Sequence, residues 1–98
     1  MDFYHIRTYT PFAGEEADVY IAAETITEYQ KKANEAAYEN GAEWYDEAEW
    51  LDSWGYDEDE DNYDEVCDEY YAQCGWRFIA MITEDEYNKL NAEGDWCV

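Results

Sequence analysis

The sequence has very few basic residues. It carries 5 Lys and Arg against 27 Asp and Glu, a formal net charge of −22 at pH 7 on 98 residues. Nucleic acids and anionic membranes are bound mainly through Lys and Arg, so this charge excludes both as direct partners. The partners that suit the chain are basic: a nucleic-acid-binding groove, a basic protein or divalent cations.

Long apolar runs are also missing. No uninterrupted stretch approaches the roughly 20 residues that a membrane-spanning helix needs. The opening residues, MDFYHIRTYT, do not show a basic leader followed by an apolar run, as a secretory signal would. We therefore expect a soluble, cytoplasmic protein.

Residues typical of catalytic and metal sites are scarce. His5 is the sole histidine, and the three cysteines lack the CxxC spacing of a zinc or redox site. Cys67 and Cys74 would lie about 10.5 Å apart along a helix, too far for a disulfide. No glycine-rich phosphate loop is present. We expect free thiols, no cofactor, no metal centre and no enzymatic activity.

Aromatic and apolar residues are plentiful. They make up 19% and 47% of the chain, enough for one small core and a single domain over residues 1–98. Alternating residues 3–9 and the β-branched and aromatic stretch 18–23 predict two strands that form a hairpin. Residues 76–82 (WRFIAMI) predict a third, well-buried strand.

The first helix is predicted over residues 25–39. Thr25 and Glu28 have the spacing of a capping box, and apolar residues recur at helical intervals after them. Asn40 and Gly41 then predict its C-terminal end.

Three more helices are predicted further along. One covers residues 43–53, and a second runs from the acidic stretch 57–61 to a stop at Gly75. The last runs from Thr83 to Ala92. The result is an α+β fold of β-β-α-α-α-β-α order, in which a short antiparallel sheet of about three strands packs with three to four helices.

The acidic segment, residues 43–69, carries 14 carboxylates and no Lys or Arg. Disordered acidic tails are poor in aromatics, whereas this segment has enough apolar surface to fold and to hold its carboxylates in place. We therefore predict it to be a partner-binding surface. The candidate residues are Glu43, Asp46, Glu47, Glu49, Asp52, Asp57, Glu58, Asp59, Glu60, Asp61, Asp64, Glu65, Asp68 and Glu69, with Trp50, Trp54 and Tyr56 as possible anchors.

The density of charge in this segment points to DNA mimicry. Duplex DNA presents one phosphate per about 1.7 Å of axis. A helix with a carboxylate at every second residue, rising about 1.5 Å per residue, comes close to that density. Its carboxylates could accept the charge-assisted hydrogen bonds that phosphates accept in a Lys and Arg groove, and its aromatics could stack with arginines.

In size, charge and the acidic helical segment 43–69, the chain resembles the small acidic proteins of phages and mobile elements that mimic DNA. These include anti-CRISPR inhibitors and antirestriction proteins; the stretch ADVYIA at 17–22 is similar to the opening strand of antirestriction proteins of the ArdA type. If the chain is encoded by a phage, we expect it in the host bacterial cytoplasm, as a monomer or a homodimer. The resemblance implies inhibition of a host nuclease. The protein would block the target-DNA or PAM-reading site of a CRISPR effector or, alternatively, a restriction nuclease.

Two other functions use the same residues. Asp57, Asp59, Asp61 and Asp68 occupy positions 1, 3, 5 and 12 of an EF-hand-like loop, which would make this a divalent-cation-binding protein. Position 6 is Asn62 where an EF-hand has Gly. The other alternative is an acidic chaperone of a basic DNA-binding protein, which differs mainly in the identity of the partner.

Overall fold

A computed structural model describes residues 1–11, 16–44 and 70–98 of the chain. Its strands are β1 (Asp2–Tyr9), β2 (Ala17–Ala23) and β3 (Gly75–Ile82), and its helices are α1 (Ile26–Trp44) and α2 (Glu84–Glu93). Residues 70–73 are also helical. The described part is therefore α+β, as predicted, and the rest of the predicted helices lies outside it.

The three strands form one antiparallel sheet in the order β2-β1-β3. β1 is central because it pairs with β2 as the predicted hairpin and with β3 on its other side. Ile79 is an extra residue in the second pairing, since His5 faces Ala80 and Ile6 faces Phe78. This β-bulge lies in the middle of β3.

The core lies between one face of the sheet and α1. Alternate residues of β1 and β2 point to this face, and α1 presents small side chains that allow the helix to approach closely. The Tyr4 and Tyr29 rings stack at 3.9 Å, and Trp76 meets Tyr29 edge-on at 5.3 Å. The buried core residues are Tyr4, Ile6, Val19, Ile21, Ala23, Tyr29, Ala33 and Ala36.

The opposite face of the sheet contacts α2. Phe3 points away from α1, and its ring lies 5.1 Å from that of Tyr87. Both helix starts have the predicted capping threonine: Glu28 N donates to Thr25 Oγ1 at 3.1 Å, and Glu86 N donates to Thr83 Oγ1 at 3.2 Å. α2 ends at Gly94 in the left-handed conformation, with φ 88°.

The predicted end of the first helix is wrong. α1 continues through Asn40 and Gly41, both of which are buried inside it, to Trp44. Gly41 lies in a close contact: a Cβ there would be 2.8 Å from Cys74 Sγ. This glycine is therefore explained by packing against the residues that precede β3, because a larger side chain would not fit.

The prediction of a well-buried third strand is also wrong. β3 is at the edge of the sheet, and Arg77, Phe78, Ile79 and Met81 are exposed. An apolar run has the same appearance in a central strand and in an edge strand, so the sequence pattern did not distinguish them.

Candidate partner-binding surface

Of the predicted partner-binding residues, the described part of the chain contains Glu43. It is exposed in the last turn of α1. The others lie outside the described residues, as does the EF-hand-like loop: Asp46, Glu47, Glu49, Trp50, Asp52, Trp54, Tyr56, Asp57, Glu58, Asp59, Glu60, Asp61, Asp64, Glu65, Asp68 and Glu69.

Glu43 belongs to a row of carboxylates on α1. The sequence pattern had placed the members of this row in two different helices. Glu35, Glu39 and Glu43 are all exposed and lie four residues apart, about 6 Å along the axis from one to the next. We call these three residues the α1 carboxylate row. The i, i+4 spacing of Glu35 and Glu39 was visible in the sequence, but the predicted helix end at Gly41 separated them from Glu43.

The row points away from the core because of the helical period. Ala33, Ala36 and Ala37 are buried on the side of α1 that faces the sheet. At about 100° per residue, Glu35, Glu39 and Glu43 lie roughly 150°, 115° and 75° around the helix from the centre of that face. All three side chains are exposed. The row therefore faces outward.

The α1 carboxylate row is unfavourable for the helix that carries it. Like charges at i, i+4 repel, and carboxylates near a helix C-terminus oppose the helix dipole. The last turn of α1 contains no basic residue that would compensate. Helix stability therefore does not explain why glutamates occupy positions 35, 39 and 43.

Glu28, at the opposite end of α1, has a different environment. Its carboxylate accepts a hydrogen bond from Glu24 N at 3.3 Å and lies 3.2 Å from Lys32 Nζ. The backbone hydrogen bond, followed by that with Lys32, lowers the pKa of Glu28. Charge at this end of the helix is stabilising, since it lies at the positive end of the dipole.

Three of the five basic side chains are held in local ion pairs within the described residues. Arg7 Nε lies 3.0 Å from Asp18, Lys32 pairs with Glu28, and Arg77 lies 3.7 Å from Glu16. Lys32 Nζ also donates to the Ala22 carbonyl at 2.8 Å. These cations are thus held at the sheet and the start of α1, away from Glu39 and Glu43.

The sole histidine is part of a small charged cluster on the α2 side of the sheet. His5 Nε2 lies 2.9 Å from Asp18 Oδ1, which also accepts the hydrogen bond from Arg7. Burial is the largest single effect on Asp18 and would raise its pKa. The hydrogen bonds from His5 and Arg7, together with their electrostatic attraction, outweigh burial and hold the pKa of Asp18 below its usual value. His5 therefore has a structural partner.

Exposed aromatic side chains flank the carboxylate row. Tyr38 is 61% exposed and lies three residues after Glu35, and its ring stacks on Tyr71 at 4.9 Å. Trp44 is 49% exposed and directly follows Glu43. Sequence reasoning did not single out either residue as a candidate anchor, although each adjoins a carboxylate in the sequence.

Among the residues that the structure describes, no group of three or more His, Cys, Asp or Glu side chains could hold a metal ion. Cys74 and Cys97 are not bridged to each other, and Cys74 Sγ donates to the Tyr70 carbonyl at 3.4 Å. Burial, and then the charge of Asp95, raises the pKa of Cys97. Within the same residues, no helix is both long enough and apolar enough to span a membrane.

Compared with models of protein families, with curated proteins and with solved structures, the chain matches none of them.

Proposed function

We propose that this protein is a DNA-mimic inhibitor that occupies the basic DNA-binding or PAM-reading groove of a CRISPR effector and keeps target DNA out. An antirestriction protein acting on a restriction nuclease is the second form of the same proposal. In both forms the protein performs no catalysis itself and presents carboxylates where the partner expects phosphates.

The observation that carries the proposal is the α1 carboxylate row. It consists of three exposed carboxylates in the second half of α1 that repel one another at i, i+4, the last of them in the final turn, where the helix dipole also disfavours negative charge. Features that oppose local stability are commonly found at functional sites. A basic partner would neutralise these carboxylates and remove their repulsion. The removal of this repulsion would then contribute to the free energy of binding.

The spacing of the carboxylates, compared with that of DNA phosphates, supports mimicry of DNA. The row has a carboxylate about every 6 Å, roughly half the linear density of one DNA strand, which has a phosphate per about 3.4 Å. The sequence directly after α1 supplies 13 more carboxylates in residues 45–69. The row therefore forms the beginning of a much larger acidic surface in our proposal.

The first test is a competition assay. Labelled target DNA is bound to each of a panel of guide-loaded CRISPR effectors and restriction enzymes, and the protein is added at an ionic strength of about 0.15 M, with polyglutamate as the control for bulk charge. We expect stoichiometric displacement from one member. No displacement from any member, or displacement equal to that by polyglutamate, would contradict the proposal.

Matched variants test whether the carboxylate row contributes. The triple variant Glu35→Gln, Glu39→Gln, Glu43→Gln should lose roughly tenfold in affinity, because each exposed ion pair contributes about 0 to 1 kcal/mol. The control variant Glu84→Gln, Asp85→Asn, Glu93→Gln removes the same number of charges from α2 and should bind like the wild type. Equal losses in both would show that only net charge matters.

A further inference from the structure

The two edges of the sheet differ. The outer edge of β2 is covered by the C-terminal residues, through hydrogen bonds from Tyr20 N to Trp96 O at 2.8 Å, Val98 N to Tyr20 O at 2.9 Å and Ala22 N to Val98 O at 3.0 Å. No strand from the described part of the chain pairs with the outer edge of β3. Within residues 1–11, 16–44 and 70–98, one edge is therefore closed and the other is open.

The open edge is apolar. Phe78 is 52% exposed, Ile79 37% and Met81 54%, although each is a large hydrophobic residue. Phe78 and Met81 face Ile6 and Tyr4 across the β1–β3 pairing, so they point to the same side of the sheet as the core. α1 leaves them exposed on that side.

The open edge is also the least acidic part of the chain. Residues 70–83 contain no Asp or Glu, the longest such stretch in a sequence with 27 of them. The one charge in β3 is Arg77, which lies 3.7 Å from Glu16. A basic groove that binds the acidic surface therefore has no electrostatic attraction to this edge.

An exposed apolar edge strand is a template for pairing with another strand. The occupant must offer an unpaired backbone edge, apolar side chains and little charge. β3 of a second copy meets all three requirements, and a two-fold axis would bring the same residues together from both copies. We propose that two copies of the chain associate by antiparallel pairing of β3 with β3, which joins their sheets into one of six strands.

The size of the edge sets the strength of the dimer. Standard interfaces bury about 800 Å² per partner with 20–30 residues on each side, and the eight residues of β3 supply roughly a third of that. The bulge at Ile79 also interrupts regular pairing. We expect a dissociation constant of about 10–100 µM.

Salt separates this inference from the proposed function, on which it does not depend. Two copies with a charge of −22 each repel, so added salt should strengthen dimerisation. Binding of the acidic surface to a basic groove should weaken with salt. Either process can therefore fail without affecting the interpretation of the other.

Sedimentation velocity over a concentration series up to about 500 µM, in about 0.05 M and 0.5 M NaCl, tests the inference. We expect a species of twice the 11.7 kDa monomer mass that forms several-fold more readily at the higher salt. A protein that stays monomeric at the highest concentration in 0.5 M NaCl would overturn the proposal.

Two aromatic-to-lysine variants locate the interface. Phe78→Lys places a charge on the edge and should weaken the dimer at least tenfold, while Tyr38→Lys makes the same change at an exposed site on α1 and should leave it intact. Equal dimerisation by Phe78→Lys would show that another surface is used.

A measurement on the wild type covers the case in which Phe78→Lys does not fold. Amide hydrogen exchange in residues 75–82 should slow as concentration rises, since pairing protects the outer backbone groups of β3. Exchange there that does not depend on concentration would exclude β3 as the interface.

Discussion

At the scale of the residue, Asp18 shows where one of the few basic side chains of this acidic protein forms an ion pair. Its carboxylate is 46% exposed, yet it lies within 3.0 Å of both His5 and Arg7. Arg7 faces Asp18 directly across the β1–β2 pairing. Because cross-strand pairs of opposite charge stabilise a sheet, one of the five basic side chains, Arg7, is used to hold β2 against β1.

Asp18→Asn should destabilise the protein near pH 6 by up to about 1 kcal/mol, a value kept low because the exposed carboxylate is screened by water. The folded state lowers the pKa of Asp18 below its usual 3.8. Its contribution is therefore present above that pH and is lost as the pH falls through the folded pKa. Urea unfolding of both proteins between pH 6 and pH 2 should show the two free energies converging below about pH 4.

The matched control is Asp2→Asn, which removes an exposed carboxylate from the neighbouring strand, β1. Its difference from the wild type should not follow this pH profile. Protonation of the remaining carboxylates relieves repulsion in all three proteins, so the differences are informative and the absolute stabilities are not.

At the scale of the element, the C-terminal end of α1 is determined by the residues that pack against it. Asn40 and Gly41 are common at helix ends, but here the chain passes them in helical conformation because Cys74, Tyr70 and Tyr71 pack against this turn. Tyr70 is fully buried, and its hydroxyl donates to the Gly41 carbonyl at 2.9 Å. Tertiary contacts therefore override the local preference.

Gly41→Ala should destabilise the protein by about 1–2 kcal/mol, because the added Cβ is forced against Cys74 Sγ at 2.8 Å. In a Cys74→Ala background the same substitution should be stabilising by up to about 1 kcal/mol, since alanine favours a helix over glycine. Denaturant unfolding of the four proteins forms a double-mutant cycle. If Gly41→Ala has the same sign in both backgrounds, the contact does not explain the glycine.

At the scale of the whole molecule, the net charge of −22 makes stability depend on salt. Neutralising the α1 carboxylate row with Glu35→Gln, Glu39→Gln and Glu43→Gln should raise the free energy of unfolding at low salt by about 0.5–1 kcal/mol, because two like-charged i, i+4 pairs are removed. Near 1 M NaCl, where the Debye length is about 3 Å, the difference should vanish. Thermal unfolding at both salt concentrations measures it.

This gain in stability should accompany the loss of affinity expected for the same variant, the signature of a functional surface that opposes stability. The α2 control variant, Glu84→Gln, Asp85→Asn, Glu93→Gln, should show neither effect to the same degree. A carboxylate-row variant that is both less stable and unchanged in binding would show that these glutamates support the fold instead.

Features that depend only on neighbouring residues could be predicted before the fold was known. The alternation of β1 and β2 and the capping threonines at positions 25 and 83 could both be predicted, because side-chain period and end-capping are local properties. The composition also set the net charge and hence the kind of partner expected. These predictions required no knowledge of what lies across the sheet.

Long-range contacts determine where α1 ends, which strand is central and which apolar residues stay exposed. Gly41 is helical because Tyr70 and Cys74 pack on it, and β3 is an edge because β1 lies between it and β2. The row of Glu35, Glu39 and Glu43 became visible only once the helix was known to continue. Each of these depends on contacts between residues far apart in the chain, and local patterns carry no record of such contacts.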